Sequence, residues 1–364
     1  MSSTHQTNGQ SLRVAIIGYG LAGSVFHAPL IAATPGMQVA AIVTSNPERQ
    51  QSARERYPEV KIYAHADQLW QEAAQYDLAV VATSNKTHVS LGKAAMHAGL
   101  PVVIDKPMAA TVTDAEQLIA VSKETGKLLT VFQNRRWDND FLTVQKLLAA
   151  DLLGPITRYE SRFERYRVQP RQGVWRESAD PADAGGQLYD LGSHLIDQTL
   201  FLFGQPEYVY AEVEQRRPKA QIDDDAFIAL QFSSGIKAHL WMSQVARISG
   251  ARMRVSGLRG TYEKWGLDPQ EDMLKAGKRP GEPGWAIEPR EQWGRLSTDI
   301  STGEIHIDGP IETVPGSYEE YYKQLRQAII EGSNPPVEPE QVVQVIRIIE
   351  AARQSARDKI IVKL

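Results

Sequence analysis

The chain has 364 residues, of which 42% are hydrophobic and 23% charged, and its formal net charge is −4. This length is too great for one ordinary hydrophobic core, so we expect two domains. The near-neutral charge gives no reason to expect a nucleic-acid or anionic-membrane partner. The sequence contains no cysteine, which excludes disulfides, thiolate metal sites and cysteine nucleophiles and suits a reducing cytoplasm.

Residues 1–11 predict a disordered tail. The first ten residues contain no lysine or arginine and no apolar core, so they do not resemble a signal peptide. No apolar run approaches the roughly 18 residues that a membrane helix needs. We therefore expect a cytoplasmic protein.

A glycine-rich turn follows the first apolar run. Residues 14–17 lead into Gly18-Tyr19-Gly20-Leu21-Ala22-Gly23, and helix-compatible residues follow. In this context the first glycine forms a tight turn, the second lets a pyrophosphate approach the backbone, and the third lets the helix pack on the strand. The free N–H groups at the helix N-terminus would face the anion. The turn predicts a dinucleotide site, with a plain tight turn as the alternative.

Residues 12–136 alternate short apolar runs with helical segments. Six runs are typical of strands buried on both faces: residues 14–17, 39–43, 61–63, 78–82, 102–104 and 128–132. Alternation of this kind predicts a doubly wound parallel sheet, that is, a Rossmann domain. Because Pro29 falls inside the first helix, we expect a break near residues 26–28, a restart at Pro29 and an exposed His27.

The end of the second strand bears on the choice of cofactor. An NAD enzyme places Asp or Glu about 20 residues beyond the glycines to bind the ribose 2′-hydroxyl. Residues 43–49 instead read Val-Thr-Ser-Asn-Pro-Glu-Arg, with no acid at the strand end. A cation in the first turn of a helix interacts unfavourably with the macrodipole, so a phosphate beside Arg49 would stabilise its charge. Ser45 and Arg49 therefore predict NADP, and a surface arginine is the alternative.

The segment Asp105-Lys106-Pro107 follows the fifth strand. Ligands bind at the carboxyl ends of strands in doubly wound sheets, and the proline keeps the lysine backbone extended. Partial burial would lower the pKa of the ammonium group, which could then hydrogen-bond a substrate oxygen. We interpret Lys106 as a catalytic residue, with an ordinary solvated lysine as the alternative, and the Lys106–Pro107 bond could be cis.

Residues 188–203 predict a helix with a polar stripe. At 100° per residue, Asp190, His194 and Asp197 share one face beside Gln187. The carboxylate of Asp190 can orient the imidazole or hold a substrate hydroxyl, and His194 can take a proton near neutral pH. A solvated face with an i,i+4 pair is the alternative. The other histidines are scattered, so we expect no metal site.

The hinge Gln133-Asn134-Arg135-Arg136-Trp137-Asp138 ends the sixth strand and begins the second domain. Amide, guanidinium and indole groups suit a polyol, which needs hydrogen bonds and a flat apolar face. We expect Asn134 and Trp137 to contact substrate, with Trp175 and Arg176 adding to the wall. Trp137 could equally belong to the interdomain core.

Residues 137–364 predict an α+β domain that binds substrate. Strands are expected at 157–167, 207–215, 225–232, 236–242 and 253–256, which suggests an open, mainly antiparallel sheet. Further helices are expected at 140–150, 318–330 and 340–357. Residues 268–316 are rich in proline, glycine and charge, and could form an excursion over the active site or an oligomer arm.

Three motifs in this order resemble the Gfo/Idh/MocA oxidoreductases: G-x-G-x-x-G, Asp-Lys-Pro after the fifth strand, and Asp190-Leu-Gly-Ser-His194 on a second-domain helix. The match runs from about residue 13 to the C-terminus. Residues 18–27, 134–138 and 262–268 are most similar to the NADP-dependent scyllo-inositol dehydrogenase branch. The resemblance implies that Lys106, Asp190 and His194 form a catalytic trio and that the open sheet face makes homodimers or homotetramers.

One loop departs from that family pattern. Many members have Thr-Pro after the fourth strand, whereas this chain has Thr83-Ser84-Asn85. We still expect Thr83, Asn85 and His88 to meet the cofactor there.

The predicted function is NADP-dependent interconversion of a cyclic polyol and its ketone by hydride transfer to or from nicotinamide C4, with scyllo-inositol and its inosose as the first candidates. One alternative is an NADPH-dependent reductase of an aldose or keto-sugar. A second alternative, from another class, is a non-catalytic NADP-binding sensor, which would need the glycine turn but no proton-transfer pair.

Overall fold

The computed structural model describes residues 11–171, 173–300 and 303–364. Except for Ser11, the predicted N-terminal tail lies outside the described residues. Two sheets dominate the structure, one of six strands and one of nine. None of the described helices is both long enough and apolar enough to cross a bilayer.

The N-terminal sheet is parallel, with strand order β3-β2-β1-β4-β5-β6. Its strands are Leu12–Ile17, Met37–Val43, Lys61–Tyr63, Leu78–Val81, Val102–Asp105 and Leu129–Phe132, numbered β1 to β6. Helices α1 to α5 connect them: Ala28–Ala33, Pro47–Arg56, Ala66–Gln71, His88–His97 and Val112–Thr125. The central strands are apolar throughout because helices cover both faces. This confirms the predicted Rossmann-type sheet, whose strand order reverses between β1 and β4, where ligands bind.

The first helix is not interrupted at Pro29. Residues Ala22–His27 form a π-helical segment that runs directly into α1, and the Ala28 N–H donates to the Gly23 carbonyl five residues back. Pro29 then lies in the first turn of α1, where its missing N–H costs least. The predicted break was therefore wrong, because a change of helix type absorbs the proline.

The predicted exposure of His27 was also wrong. Its side chain is fully buried, with Nδ1 2.5 Å from the Tyr322 hydroxyl and the ring centroid 4.4 Å from that of Phe132. Tyr322 belongs to α9, Glu319–Glu331, near the end of the chain. Because a distant segment covers the imidazole, local sequence could not show this burial.

The second sheet has the order β14-β13-β12-β11-β7-β10-β9-β8-β15 and is antiparallel except where β7 and β10 pair in parallel. This confirms the predicted open, mainly antiparallel sheet. Helices α6, Asn139–Ala149, and α7, Ser193–Phe203, belong to the same part of the chain. The strands β7 to β15 are Ile156–Glu164, Tyr208–Glu214, Asp225–Gln231, Lys237–Ser243, Met253–Gly257, Gly260–Lys264, Gly294–Ile300, Ile305–Ile311 and Val362–Lys363.

Residues 268–316 have two roles. Helix α8, Gln270–Lys275, packs on the π-helical segment that follows the glycine turn, so this part covers the candidate site. Strands β13 and β14 extend the edge of the second sheet. These strands were not predicted, although Ile305, Ile307 and Ile311 alternate along β14, because the proline, glycine and charge content of residues 268–316 favoured an excursion or an oligomer arm.

Both C-terminal helices pack on the core of the Rossmann sheet, and the second of them also packs on the core of the second domain. Helix α9 buries Tyr321, Tyr322 and Leu325 in the core of the Rossmann sheet. Helix α10, Pro339–Asp358, places Val342, Val343 and Ile346 in that core and Val345, Ile348 and Ile349 in the second. Spacing of three and four residues puts these two sets on different faces of one helix. The position of the two domains is thereby fixed by packing on a shared element.

Candidate active site

A cleft of about 1970 Å³ lies between the two domains. Its first wall is the carboxyl edge of the Rossmann sheet, and its second wall comes from the second domain. The structure brings most of the predicted site residues to this cleft: Gly18, Tyr19, Gly20, Leu21, Ser45, Arg49, Thr83, Asn85, Lys106, Asn134, Trp175, Arg176, Asp190 and His194. Of the remaining predicted site residues, Gly23, His88 and Trp137 lie behind the lining.

Two glycines of the turn, Gly18 and Gly23, are required by contacts within the protein, whereas Gly20 faces open space. Gly18 has a φ of +97°, and a Cβ there would collide with the Ala82 carbonyl. A Cβ on Gly23 would collide with the Gly18 carbonyl, so this glycine closes the turn. At Gly20 the nearest atom to an added Cβ is Arg49 Nη1, 3.8 Å away, so the backbone there faces the open cleft. The turn therefore fits a pyrophosphate approaching at Gly20.

The end of β2 fits a phosphorylated ribose. Asn46 caps α2 by accepting from the Arg49 N–H at 3.0 Å, and this places the Arg49 side chain in the first turn of α2. The side chains of Ser45 and Arg49 are exposed and line the cleft beside Gly20. The acidic residues that line the described cleft come from other segments, so the position that would bind a 2′-hydroxyl holds hydroxyl and guanidinium groups.

Replacement of Arg49 by alanine is expected to weaken NADPH binding about 10- to 100-fold, because one charge-assisted hydrogen bond to phosphate is removed. NADH binding should change little, since NADH lacks the 2′-phosphate. The measurement is a fluorescence titration with each nucleotide, using Arg54→Ala on the same helix as the control. An equal loss for both nucleotides would contradict the assignment.

Lys106 and Arg176 share the carboxylate of Asp190. The Lys106 ammonium donates to the Asp190 backbone carbonyl at 2.6 Å and to Oδ1 at 2.9 Å, while Arg176 Nε donates to Oδ2 at 2.8 Å. Burial would raise the pKa of Asp190, but Lys106 and Arg176 outweigh it and hold that pKa well below its usual range. Burial, assisted by Arg176, lowers the pKa of Lys106 despite the opposing carboxylate. The Lys106–Pro107 bond is cis, an outcome that the sequence allowed.

His194 has a partner that the sequence did not reveal. Its Nδ1 lies 3.1 Å from Oε1 of Gln133. An amide oxygen only accepts, so Nδ1 carries the proton and Nε2 keeps its lone pair. Burial first, and then the charges of Lys106 and Arg135, lower the pKa of His194 well below its usual value. The imidazole is therefore neutral at neutral pH and able to accept a proton.

The residues of the predicted polar stripe have different partners and do not form one continuous face. Residues Leu188–Gly192 are π-helical and only Ser193–Phe203 is α-helical, so the regular spacing of 100° per residue fails between Asp190 and His194. Asp190 binds Lys106 and Arg176, and no hydrogen bond joins it to His194 among the described residues. Asp197 instead forms a buried two-point ion pair with Arg136, at 2.8 and 2.7 Å. The solvated-face alternative was wrong as well, since all three side chains are buried.

Two predicted ligand contacts need correction. Trp137 is 7% exposed and packs edge-on against Tyr321 with centroids 5.6 Å apart, which is the interdomain-core alternative. His88 is fully buried, with Nδ1 2.8 Å from the Pro107 carbonyl and Nε2 3.3 Å from the Thr83 carbonyl. It therefore supports two cleft loops from behind. Asn85 lines the cleft but also donates to the Asp183 carbonyl at 2.6 Å, which links the domains.

Two charged residues of α8, Glu271 and Lys275, were not predicted to lie at the cleft. Arg135 donates to Glu271 at 2.8 Å, and Glu271 accepts from Lys275 at 2.7 Å, so α8 brings two charged side chains to the cleft. No pattern near residue 271 pointed to this, because the contact depends on tertiary packing alone. Gln133, in contrast, lies in the hinge of residues 133–138, which the sequence had already indicated as a candidate site, although its contact with His194 was not predicted.

The two halves of the chain match two family models. Residues 12–133 match the oxidoreductase family NAD-binding Rossmann fold, and residues 145–364 match the oxidoreductase family C-terminal alpha/beta domain. The chain belongs to the Gfo/Idh/MocA oxidoreductase family. The glycine turn of this Gfo/Idh/MocA protein is therefore part of an NAD(P)-binding Rossmann domain.

Full-length relatives agree with the family models. The chain is 40% identical to the oxidoreductase YdgJ of Escherichia coli, with 96% of this chain and 97% of the relative covered. It is 38% identical to the scyllo-inositol 2-dehydrogenase (NADP(+)) IolW of Bacillus subtilis, with 96% and 95% covered. Among solved structures, the oxidoreductase YvaA of Bacillus subtilis superimposes with a TM-score of 0.92 at 37% identity, covering 99% of this chain and all of the other.

Proposed function

We propose that this protein is an NADP-dependent dehydrogenase that interconverts a CH–OH group of a cyclic polyol with the ketone, with scyllo-inositol and its inosose as the first substrate pair. The observation that carries the proposal is the placing of Lys106, Asp190 and His194 in the same cleft as the glycine turn and Arg49. The 38% identity to IolW over nearly the whole chain supports the substrate class and the cofactor.

The side chains of the cleft can perform the proton transfer that this reaction needs. A bound nicotinamide dinucleotide supplies the hydride acceptor for oxidation and the donor for reduction. In oxidation, Nε2 of His194 takes the hydroxyl proton while Gln133 keeps the other ring nitrogen protonated. In reduction, His194 returns that proton to the new alkoxide.

Lys106 binds the reacting oxygen. Its ammonium has three N–H donors, of which Asp190 occupies two, so the third can donate to the carbinol or carbonyl oxygen. Asp190 holds Lys106 in place through its ionised carboxylate and acts through that lysine. The assignment differs from both expected roles of Asp190, which were to orient the imidazole or to hold a substrate hydroxyl.

A sensor would not require this arrangement. Burying an ammonium, a carboxylate and a neutral imidazole in one cleft is costly, and such perturbed groups cluster at catalytic sites. A panel of inositols, linear polyols, aldoses and keto-sugars, assayed with NADP and NAD at the reduced-nicotinamide absorbance, tests the proposal. Turnover of a cyclic polyol with NADP is the expected result. Turnover of aldoses or keto-sugars alone would favour the reductase alternative, and none at all would favour the sensor.

The pH profile of kcat/KM in the oxidation direction should show two limbs. Because the pKa of His194 is lowered, the base form persists below pH 6.5, and the rate falls only when pH drops through that lowered value. Because the pKa of Lys106 is lowered, its ammonium is lost as pH rises, before the usual lysine range is reached.

Lys106→Met should move the titration of His194, followed by NMR, to higher pH, because the ammonium is one of the charges that lower the pKa of His194. Lys123→Met, on the exposed surface of α5, is the control and should leave it unmoved.

A further inference from the structure

The cleft carries a charge opposite to that of the whole chain. The chain has a formal net charge of −4, yet ten lysines and arginines line the cleft against five acidic residues. A dinucleotide with a 2′-phosphate accounts for the cations beside the glycine turn. The 2′-phosphate does not explain the excess of positive charge on the second-domain wall.

Six of these cations come from the second domain. Arg176 and Lys275 are paired with Asp190 and Glu271, which leaves Arg165, Arg167, Arg171 and Lys219. Within the described part of the chain, no carboxylate lies within ion-pair distance of their side chains. Glu177 is the nearby acid, and both of its oxygens already accept from Arg217, at 3.2 and 2.7 Å. Burial lowers the pKa of Arg167, and the charges of Arg171 and Arg165 act in the same direction. Glu177 opposes this shift, but its carboxylate is already paired with Arg217, so positive charge remains in excess in this part of the cleft.

Backbone hydrogen bonds hold Arg165 and Arg167 near the helical segment that carries Asp190 and His194. The Arg165 and Arg167 N–H groups donate to the Ser243 and Gln244 carbonyls, each at 2.8 Å. Gln244 in turn donates through Nε2 to Gln187 Oε1 at 2.7 Å, one turn before Asp190. The two arginine side chains thus belong to the wall that carries Asp190, whereas Ser45 and Arg49 belong to the opposite domain.

We propose that Arg165, Arg167 and Lys219 bind an anionic group on the substrate, a phosphate or a carboxylate carried by the polyol or sugar. Arginine binds both groups with paired N–H donors, and a partly buried cation gains most from such a partner. Two half-buried arginines on one short stretch hold the anion, while Lys106 and His194 act on a CH–OH group of the same molecule. This inference rests on the proposed dehydrogenase function, but it favours a substrate that carries an anionic group over a neutral polyol such as scyllo-inositol.

The test compares neutral and anionic members of matched pairs: myo-inositol with its monophosphate, glucose with glucose 6-phosphate, and glucose with glucuronate. The wild-type protein should favour the anionic member of at least one pair by tenfold or more in kcat/KM. In an Arg165→Gln, Arg167→Gln double variant this ratio should fall to about one, a loss of roughly 10- to 100-fold, because the charge-assisted hydrogen bonds to the anion are removed. Arg54→Gln, an exposed arginine on α2, is the matched control and should keep the wild-type ratio.

Several outcomes overturn the anion site while leaving the proposed function standing. These are equal kcat/KM for both members of every pair, a ratio that survives in the double variant, or a loss confined to NADPH affinity. If no compound is turned over, calorimetric titration of the NADPH-saturated protein with glucuronate and inorganic phosphate still decides. Binding that the double variant loses supports the anion site although the dehydrogenase proposal fails, and absence of binding overturns it.

Discussion

Replacement of His194 by alanine should lower kcat about 10²- to 10⁴-fold, the usual contribution of a positioned general base. The imidazole is buried in the cleft, held by Gln133 and kept neutral by burial and nearby cations, so it is the group placed to accept the proton there. NADPH binding should be unchanged, because the glycine turn and Arg49 lie in the other domain. Steady-state kinetics and a nucleotide titration measure the two quantities separately.

Lys106→Met should show the same pattern, since the reacting oxygen then loses the remaining donor of the ammonium. The control is His97→Ala, which removes an exposed histidine at the end of α4. Near-wild-type turnover in both the His194 and the Lys106 variants would refute the assignment. Loss of NADPH affinity together with turnover would instead place these residues in cofactor binding.

Replacement of Asp197 by alanine should destabilise the protein by about 3–5 kcal/mol, because it leaves the Arg136 guanidinium buried without its partner. Both side chains are almost fully buried, and two hydrogen bonds join them at 2.8 and 2.7 Å. The midpoint of denaturant unfolding measures the effect, and the folded variant should keep its turnover. This separates Asp197 from Asp190, although the two looked equivalent on the helix.

Two further variants make this prediction sharper. Replacing Arg136 and Asp197 together by methionine and leucine should recover much of the stability, because no uncompensated charge then remains. Asp308→Ala breaks an exposed pair with Arg295 and should change the midpoint little, since solvent screens that pair. Unchanged stability with abolished turnover in the Asp197 variant would show that Asp197 acts in the reaction.

The sequence was most informative where local pattern and chemistry coincide. The positive φ of Gly18 and the contact of Gly23 with the Gly18 carbonyl both lie within the turn, and the Asp-Lys-Pro segment follows its strand directly. The order of strands and helices then placed both at one edge of a parallel sheet. Lys106 and the glycine turn could therefore be assigned to one cleft before the structure was known.

Prediction failed where a contact joins distant parts of the chain. His27 was expected to be exposed because Tyr322 of α9, which covers it, lies 295 residues further along the chain. Trp137 looked like a ligand contact because its packing on Tyr321 is equally remote. The strands β13 and β14 were missed although their apolar residues alternate, because the proline, glycine and charge content of the surrounding segment predicted an excursion instead.

By itself the sequence determined the doubly wound sheet, the mainly antiparallel second sheet and the three motifs that border the cleft. Only the tertiary structure decided that Asp190 holds Lys106, that Gln133 holds His194 and that Asp197 serves stability. The reason is physical: helical spacing sets which residues share a face, but a π-helical turn changed that spacing in the decisive segment. Which partner each buried charge finds then depended on the elements packed against it.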